Sequence, residues 1–163
     1  MTRTVKVKMM TRIGQGLVLV AVLAPFLATA YGIVQLWERA VTWRDLALLF
    51  GMYVPISLGV TAGFHRMLTH RSFRAHPAVR ALILVFGSMA VEGPAIQWAA
   101  NHLKHHALSD REGDPHSPVD GLVHSHLGWL FNYDRADPNV YCRTLMRDRV
   151  VCSSTARFRC GSC

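Results

Sequence analysis

The chain has 163 residues, enough for one domain, of which 51% are hydrophobic and 17% charged. The charged share is below the roughly 25% usual in soluble domains, so the composition favours a membrane protein. The net charge of +8 could indicate a nucleic-acid partner. However, the basic residues lie in loops beside apolar runs and form no aromatic-interleaved stripe, which argues against nucleic acid. All four cysteines fall in the last quarter of the chain, a placement that predicts no disulfide framework.

The first predicted element is an uncharged run from Ile13 to Leu36. As a helix it rises about 36 Å, enough to cross a hydrocarbon core of about 30 Å with some tilt. A cleaved signal peptide is the alternative, because basic residues precede the run and it contains Ala28-Thr29-Ala30. The apolar core of a signal peptide is shorter, about 7 to 15 residues. The pattern therefore predicts a transmembrane helix over residues 13–36.

A second uncharged run, from Leu46 to Phe64, has the length of a return crossing and would complete a helical hairpin. Basic residues precede the first run and follow the second, whereas the connection between them is balanced in charge. By the positive-inside rule both ends of the hairpin face the cytoplasm. We expect an integral membrane protein, of a bacterial cell membrane, with a cytoplasmic N-terminus.

A third apolar stretch, residues 78–101, is interrupted at Glu92-Gly93-Pro94. A single crossing here would place the histidines before and after it on opposite sides of the membrane. Two crossings need about 40 residues, more than separate His70 from His102. An in-plane or re-entrant segment keeps both groups on one side, and the interruption fits such a bend because protein can cover irregular backbone at membrane depth.

Two histidine clusters flank this stretch, HRMLTH and HLKHH. Imidazole is the commonest metal ligand in proteins and binds without first losing a proton near pH 7. In HLKHH the spacing i, i+3, i+4 predicts three imidazoles on one helical face. His65 and His70 are five apart, about 140° around an ideal helix. Their convergence requires a helix end or local unwinding near Leu68. A solvated histidine patch is the simpler alternative.

The order and spacing of these motifs resemble the membrane-bound acyl-CoA desaturases of the fatty acid desaturase superfamily. The resemblance rests on HRMLTHRSF, WAANHLKHH, DREGDPHSP and HSHLGWLF and runs from about residue 46 to about 151. It implies an all-α membrane enzyme with cytoplasmic histidine boxes and a non-haem di-iron centre. Such enzymes use dioxygen and two electrons to insert a cis double bond into an acyl chain. In that family the positions matching the following residues are iron ligands: His65, His70, His102, His105 and His106.

The resemblance also implies partners and further site residues. The partners are acyl-CoA or another acyl carrier, O2, the lipid bilayer, and a ferredoxin or cytochrome b5-type donor with its reductase. Trp98 and Asn101 match positions near the acyl tunnel and the carrier's polar part. Where the family often has Arg-Asp, this chain has Ala100-Asn101, so the carrier stays open. Asp110 and Asp114 could accept hydrogen bonds from ligating imidazoles, or could be ordinary turn residues.

We expect residues 1–151 to form the N-terminal part of a desaturase domain and 152–163 to be a tail outside the family. Family members carry a third histidine box after further transmembrane helices, so the sequence predicts a C-terminal truncation or frameshift. The iron site would then be incomplete and the chain inactive as an enzyme. In the tail, Cys160 and Cys163 have dithiol spacing, which we interpret as accidental.

Two other functions stay open at this point. A related di-iron hydroxylase shares the same chemistry up to hydrogen abstraction, although its histidine spacing usually differs from HRMLTHRSF. A membrane metal-binding protein without enzyme activity would need the histidines but no substrate site. Metal transport predicts ionisable residues inside the spans, and the first two apolar runs contain none.

Overall fold

The computed structural model describes residues 11–38, 41–131 and 135–153. These ranges contain helices and no β-strand, which confirms the predicted all-α class. The longer helices are α1 (Arg12–Glu38), α2 (Trp43–Leu58) with its continuation as a π-helix (Gly59–Thr69), α3 (Pro77–Met89) and α4 (Ala95–Leu108). The short helices are α5 (Leu122–His126), α6 (Pro138–Tyr141) and α7 (Arg149–Ser153), with 3-10 turns at Pro118–Asp120, Gly128–Leu130 and Leu145–Arg147.

Two helices are long and apolar enough to cross a membrane, over Arg12–Leu36 and over Trp43–Thr69. The first covers the predicted span 13–36, and the second extends beyond the predicted span 46–64 at both ends. Large apolar side chains on α1 are exposed on the protein surface. Ile13, for example, is 78% exposed. Such a surface is costly in water and suits the lipid phase, as expected for a membrane protein.

The third apolar stretch forms two separate helices, α3 and α4, with the break where the sequence predicts it. In the connection, Val91 and Gly93 have backbone φ angles of 59° and 95°. A β-branched residue in the left-handed region is strained, so the surrounding contacts must hold this turn. The 13 residues of α3 rise about 20 Å, too little to cross a bilayer.

Glycines allow α3 to lie directly against the α2 helix and its π-helical continuation. A Cβ atom added at Gly59 would lie 2.1 Å from the backbone nitrogen of Gly87, and one added at Gly87 would lie 2.7 Å from the ring of Phe64. A Cβ at Gly63 would lie 2.4 Å from Ile83. Small residues permit this close approach of helix backbones.

The buried core joins the π-helix, α3, α4 and the C-terminal segment. Its largest fully buried apolar side chains are Phe64, Leu68, Leu84, Ile96 and Val151. An ion pair between Arg80 of α3 and Asp148, with 2.6 Å between Nη1 and Oδ2, fixes the start of α7. The segment up to Val151 is therefore part of the packed structure.

Little of the tail predicted at residues 152–163 belongs to the described ranges. Cys152 and Ser153 end α7, whereas 154–163, including Cys160 and Cys163, lie outside the described residues. Among the described cysteines, Cys142 is buried and Cys152 is half-buried. Burial raises the pKa of the Cys142 thiol to about 11, although the nearby Arg71 opposes this effect. Cys142 is therefore a packing residue and a poor nucleophile.

Candidate metal centre

The π-helix brings together His65 and His70, which a regular α-helix would place about 140° apart. The backbone N–H of His70 donates to the carbonyl of His65 at 3.0 Å, so this hydrogen bond spans five residues. The Thr69 hydroxyl also donates five residues back, to the carbonyl of Phe64 at 2.8 Å. Each turn then holds more residues than in an α-helix, and the two imidazoles converge with ring centroids 4.6 Å apart. The spacing predicts a helix end or local unwinding near Leu68, and the helix does end at Thr69 with His70 as its C-cap; the widening over Gly59–Thr69 was not predicted.

Helix α4 adds two more imidazoles to this pair. His102 lies 4.8 Å from His65 and His106 lies 4.9 Å from His70, measured between ring centroids. The Nε2 atoms of His102 and His106 are 3.0 Å apart. Candidate ligand atoms of all four residues lie within 4.8 Å of one another. We call this group the four-imidazole cluster, and its members are His65, His70, His102 and His106.

The electrostatics of the cluster favour the neutral form of His102. The pKa of His102 is lowered to about 4, first by burial and then by the positive charge that His106, His65, His70 and His105 carry when protonated. At pH 7 the His102 ring nitrogens therefore carry no net positive charge. Metal binding requires an unprotonated ring nitrogen, and imidazole donors suit iron, zinc and copper. The donor set present here thus fits a transition-metal ion.

His105 faces a different environment, so the three histidines of HLKHH do not act as one face. Its Nδ1 lies 2.9 Å from Oδ1 of Asp114, a carboxylate with no solvent exposure. That carboxylate also accepts the backbone N–H groups of Asp110 at 3.0 Å and of His116 at 3.3 Å. Burial raises the pKa of Asp114, but these three hydrogen bonds outweigh it and the net shift is downward. Asp114 is therefore an ionised acceptor.

The two predicted aspartates have different roles. Asp114 contacts His105 through its carboxylate, which is the contact that its predicted role requires. Asp110 is exposed and contributes its backbone N–H, from a left-handed conformation with φ of 57°. Its position fits the alternative prediction of a turn residue.

Sequence reasoning gave His116 no role in the site, and the structure places it directly against His105. The two rings stack with centroids 4.1 Å apart and planes inclined by 30°. The indole of Trp129 also lies near His116, with ring centroids 5.3 Å apart. Possible ligand atoms of His105, Asp114 and His116 lie within 4.8 Å of one another. However, imidazole lone pairs lie in the ring planes, and stacked rings direct them side by side instead of toward one ion.

Trp98 lies beside the four-imidazole cluster and lines a cavity of about 820 Å³. Its indole stacks on His102, with centroids 4.9 Å apart and planes inclined by 19°. The indole N–H donates to the carboxylate of Glu92 at 2.7 Å. His102 and His116 also line this cavity, which therefore connects the surroundings of both histidine groups.

Asn101 lines the same cavity, but its side-chain oxygen is already engaged. The oxygen accepts hydrogen bonds from the Gln97 amide at 3.1 Å and from the Ala136 backbone at 3.0 Å. Gln97 also donates to the Ala136 carbonyl at 2.9 Å. This network fixes the 135–137 segment against α4. Sequence reasoning did not single out Gln97, although its position one turn before Asn101 places both side chains on one face.

No family model matches the chain. It is 34% identical over 139 residues to "Hex-5-enoyl-[acyl-carrier protein] acetylenase" of Moorena producens (strain JHB), covering 78% of this chain and 43% of that protein. It is 33% identical over 133 residues to "Acyl-CoA Delta(11) desaturase" of Trichoplusia ni, covering 82% and 38%. A third similar protein, 38% identical over 91 residues, is "Palmitoyl-monogalactosyldiacylglycerol delta-7 desaturase, chloroplastic" of Arabidopsis thaliana, with coverage of 55% and 24%. The chain thus spans less than half the length of each.

Proposed function

Because the chain belongs to the membrane fatty acid desaturase superfamily, we propose that it forms the metal-binding part of a fatty acid desaturase. The reaction is the O2-dependent insertion of a cis double bond into an acyl chain, an oxidoreductase activity. The observation that carries this proposal is the four-imidazole cluster beside a cavity of about 820 Å³. The cluster supplies donors for the metal, and the cavity offers room for part of a substrate.

The four-imidazole cluster and His105 would hold the iron centre, with two ions expected for the family. When bound, iron supplies the activation of dioxygen that allows hydrogen to be removed from an unactivated methylene group. The protein's contribution is to hold ring nitrogen atoms in place before the metal arrives. The pKa of His102 is lowered to about 4, so this ring is neutral near pH 7, and the π-helix holds the rings of His65 and His70 together.

Trp98 and Asn101 would bind the substrate. The Trp98 indole covers one face of His102 and also forms part of the cavity wall, so a chain held there would lie close to the cluster. Asn101 would act through the network that orders the cavity rim, since its oxygen already accepts two hydrogen bonds. The names of the three relatives contain three different carriers, so acyl-CoA, an acyl-carrier protein and a lipid are all candidates here.

The membrane arrangement we propose keeps both histidine motifs on the cytoplasmic side, together with the N-terminus. Helix α3 is too short to cross the bilayer and packs along the π-helix, which supports an in-plane course for this segment. Electrons would arrive at this side from a ferredoxin or cytochrome b5-type donor. Glycine contacts at Gly59 and Gly87 hold the segment in place.

One experiment tests the proposal. The chain is expressed in membranes with a reducing system and fatty acyl substrates, and bound iron per chain and acyl products are measured. We expect iron in the unaltered chain and a loss of most of it in His102→Ala. The control is His76→Asn. His76 precedes α3, where its Nδ1 accepts the backbone N–H of Ala78, and an Asn side-chain oxygen can replace this acceptor.

The products separate the candidate functions. Unsaturated acyl chains support the desaturase, whereas hydroxylated chains favour the related hydroxylase. Iron binding without any product agrees with the inactivity expected of an incomplete iron site, and it supports the metal-binding part of the proposal alone. A chain that holds no iron, with or without the His102 substitution, contradicts the proposed metal centre.

A further inference from the structure

We propose that Asp114 and His116 are positioning residues that clamp His105, and that neither binds the metal itself. The inference rests on the proposed function, because it concerns how one of its metal-binding histidines is held. Its basis is the loop after α4, which folds back so that a buried carboxylate meets the edge of the His105 ring and a second imidazole covers its face.

The edge contact determines the tautomer of His105. Oδ1 of Asp114 already accepts the backbone N–H of His116, so it is also the acceptor in the 2.9 Å contact, and the proton of His105 is on Nδ1. The lone pair is then on Nε2, at the opposite side of the ring. Outer carboxylates commonly orient metal-binding histidines in this way. Because Asp114 also accepts two backbone N–H groups, its oxygens are occupied by donors and are poorly placed to bind a cation.

The face contact restricts rotation of the same ring. His116 stacks on His105 with ring centroids 4.1 Å apart, and the indole of Trp129 lies 5.3 Å from the ring of His116. Stacked rings cannot direct both lone pairs at one ion, so the geometry favours a packing role for His116. Pairs of aromatic rings in such contacts contribute about 0.5 to 1.5 kcal/mol.

The loop adopts a demanding backbone conformation to make both contacts. Asp110 and Gly113 are in the left-handed region, with φ of 57° and 93°. Asp110 in this conformation donates its N–H to Asp114, and Gly113 precedes the carboxylate directly. Left-handed conformations are unfavourable for most residues other than glycine, and Asp and Asn adopt them more readily than the rest. The hydrogen bonds to Asp114 therefore offset the cost of the turn that delivers it.

The direct test measures the tautomer of His105 in metal-free protein. The chain is labelled with 15N-histidine and reconstituted in lipid nanodiscs, and the His105 signals are assigned by their absence from His105→Gln. We expect Nδ1–H in the unaltered protein, a mixture of tautomers in Asp114→Ala, which has no acceptor oxygen, and no change in Glu112→Gln, an exposed substitution in the same loop. Nε2–H in the unaltered protein, or an unchanged tautomer in Asp114→Ala, overturns the proposal.

The second test separates a stacking residue from a ligand by titrating the same samples with Zn²⁺ alone. Replacing an outer carboxylate typically weakens metal affinity about 10- to 100-fold, which we expect for Asp114→Ala at the site containing His105. His116→Phe keeps a flat ring without nitrogen atoms, so we expect less than about a threefold change, with a larger loss in His116→Ala. Equal losses in the Phe and Ala variants would make His116 a ligand and overturn its assignment.

The two tests also distinguish failure of the clamp from failure of the proposed function. The tautomer is measured without metal and does not depend on enzyme activity. If His105 has the expected tautomer but the unaltered chain binds no Zn²⁺, the metal centre is contradicted and the clamp stands. If Zn²⁺ binds normally but the tautomer differs, only the clamp is wrong.

Discussion

Helix α4 carries three histidines within five residues, and they end in two different surroundings. His102 and His106 join His65 and His70 in a cluster built by two helices in contact. His105 turns toward a loop, where Asp114 and His116 hold it. Each group has an aromatic ring covering a histidine, Trp98 on His102 and His116 on His105. The two groups differ in how their side chains are held. Helix packing holds the four-imidazole cluster, whereas hydrogen bonds from a loop hold His105.

The largest effect should come from breaking the helix packing. Gly59→Ala places a methyl group 2.1 Å from the backbone of Gly87, where only a shift of a helix can relieve the clash. Overpacking costs about 1 to 3 kcal/mol and sometimes more, so we expect a lower unfolding temperature and loss of Zn²⁺ binding at the four-imidazole cluster. The tautomer of His105 should persist, because its contacts are local to α4 and its loop.

Gly51→Ala is the matched control for this substitution. It lies in the same continuous helix, and a Cβ there meets nothing within 4 Å. Alanine is a better helix former than glycine by about 1 kcal/mol. This control should therefore be as stable as the unaltered chain or slightly more so. Equal destabilisation by both substitutions would contradict the close packing of α3 on the helix before it.

The cluster itself is tested by removing one imidazole. In His70→Ala, three of four nitrogen donors remain, and we expect the Zn²⁺ affinity to fall by about 100-fold or more, beyond the 10- to 100-fold effect of an outer residue. Because the His70 side chain is exposed, its removal should change the folding stability only slightly. An affinity for Zn²⁺ that matches that of the unaltered protein would show that the four residues are not one ligand set.

Most of the helices could be predicted from the sequence, because they follow from the composition and the spacing of apolar residues. The apolar runs predicted the helices, and Glu92-Gly93-Pro94 predicted the break before α4. The π-helix was not predicted, since periodic patterns are compared with the regular α-helix, and its hydrogen bonds become visible only in the structure. The five-residue spacing of His65 and His70 was the one signal that a regular helix would not suffice.

The surroundings of His105 were harder to predict from the sequence, because they depend on the conformation of a loop. Spacing alone placed His105 with His102 and His106, and nothing in a Gly-, Pro- and Asp-rich segment indicates which side chain returns to the helix. Asp114 was a prediction from its chemistry and Asp110 was an equal candidate. Only the left-handed turn at Asp110 and Gly113 decides between them, since it directs the carboxylate of Asp114 inward.

The pH dependence of stability should differ between the two groups in the metal-free protein. The pKa of His102 is about 4 in the folded chain, below the ordinary value of about 6.5. The unfolded chain binds more protons between these values, so the free energy of unfolding decreases as pH falls from about 6.5 to 4. The pKa of Asp114 is lowered below 3.8, so its contribution is retained above that pH and is lost only in more acidic solution.

Thermal unfolding in nanodiscs with a chelator, measured from pH 7 to pH 3, checks both windows. His102→Gln should flatten the curve between about pH 6.5 and 4, and Asp114→Asn should flatten it below about pH 4. If His102→Gln changed only the acidic end, the lowered pKa of His102 would be contradicted. Identical curves for the two variants would remove the distinction between the groups.

The smallest effect should come from Glu92, which holds the Trp98 indole. Glu92→Leu removes the acceptor of the 2.7 Å hydrogen bond, a loss of about 0.5 to 1.5 kcal/mol for a typical bond. Glu92→Gln keeps an acceptor oxygen and serves as the control. Trp98 lies one turn before His102 on the same helix, so the helix itself maintains their stacking. We therefore expect a lower unfolding temperature but less than about a threefold change in Zn²⁺ affinity, in contrast to His116→Ala. A loss of affinity in Glu92→Leu as large as in His116→Ala would mean that both aromatic contacts depend on loop hydrogen bonds.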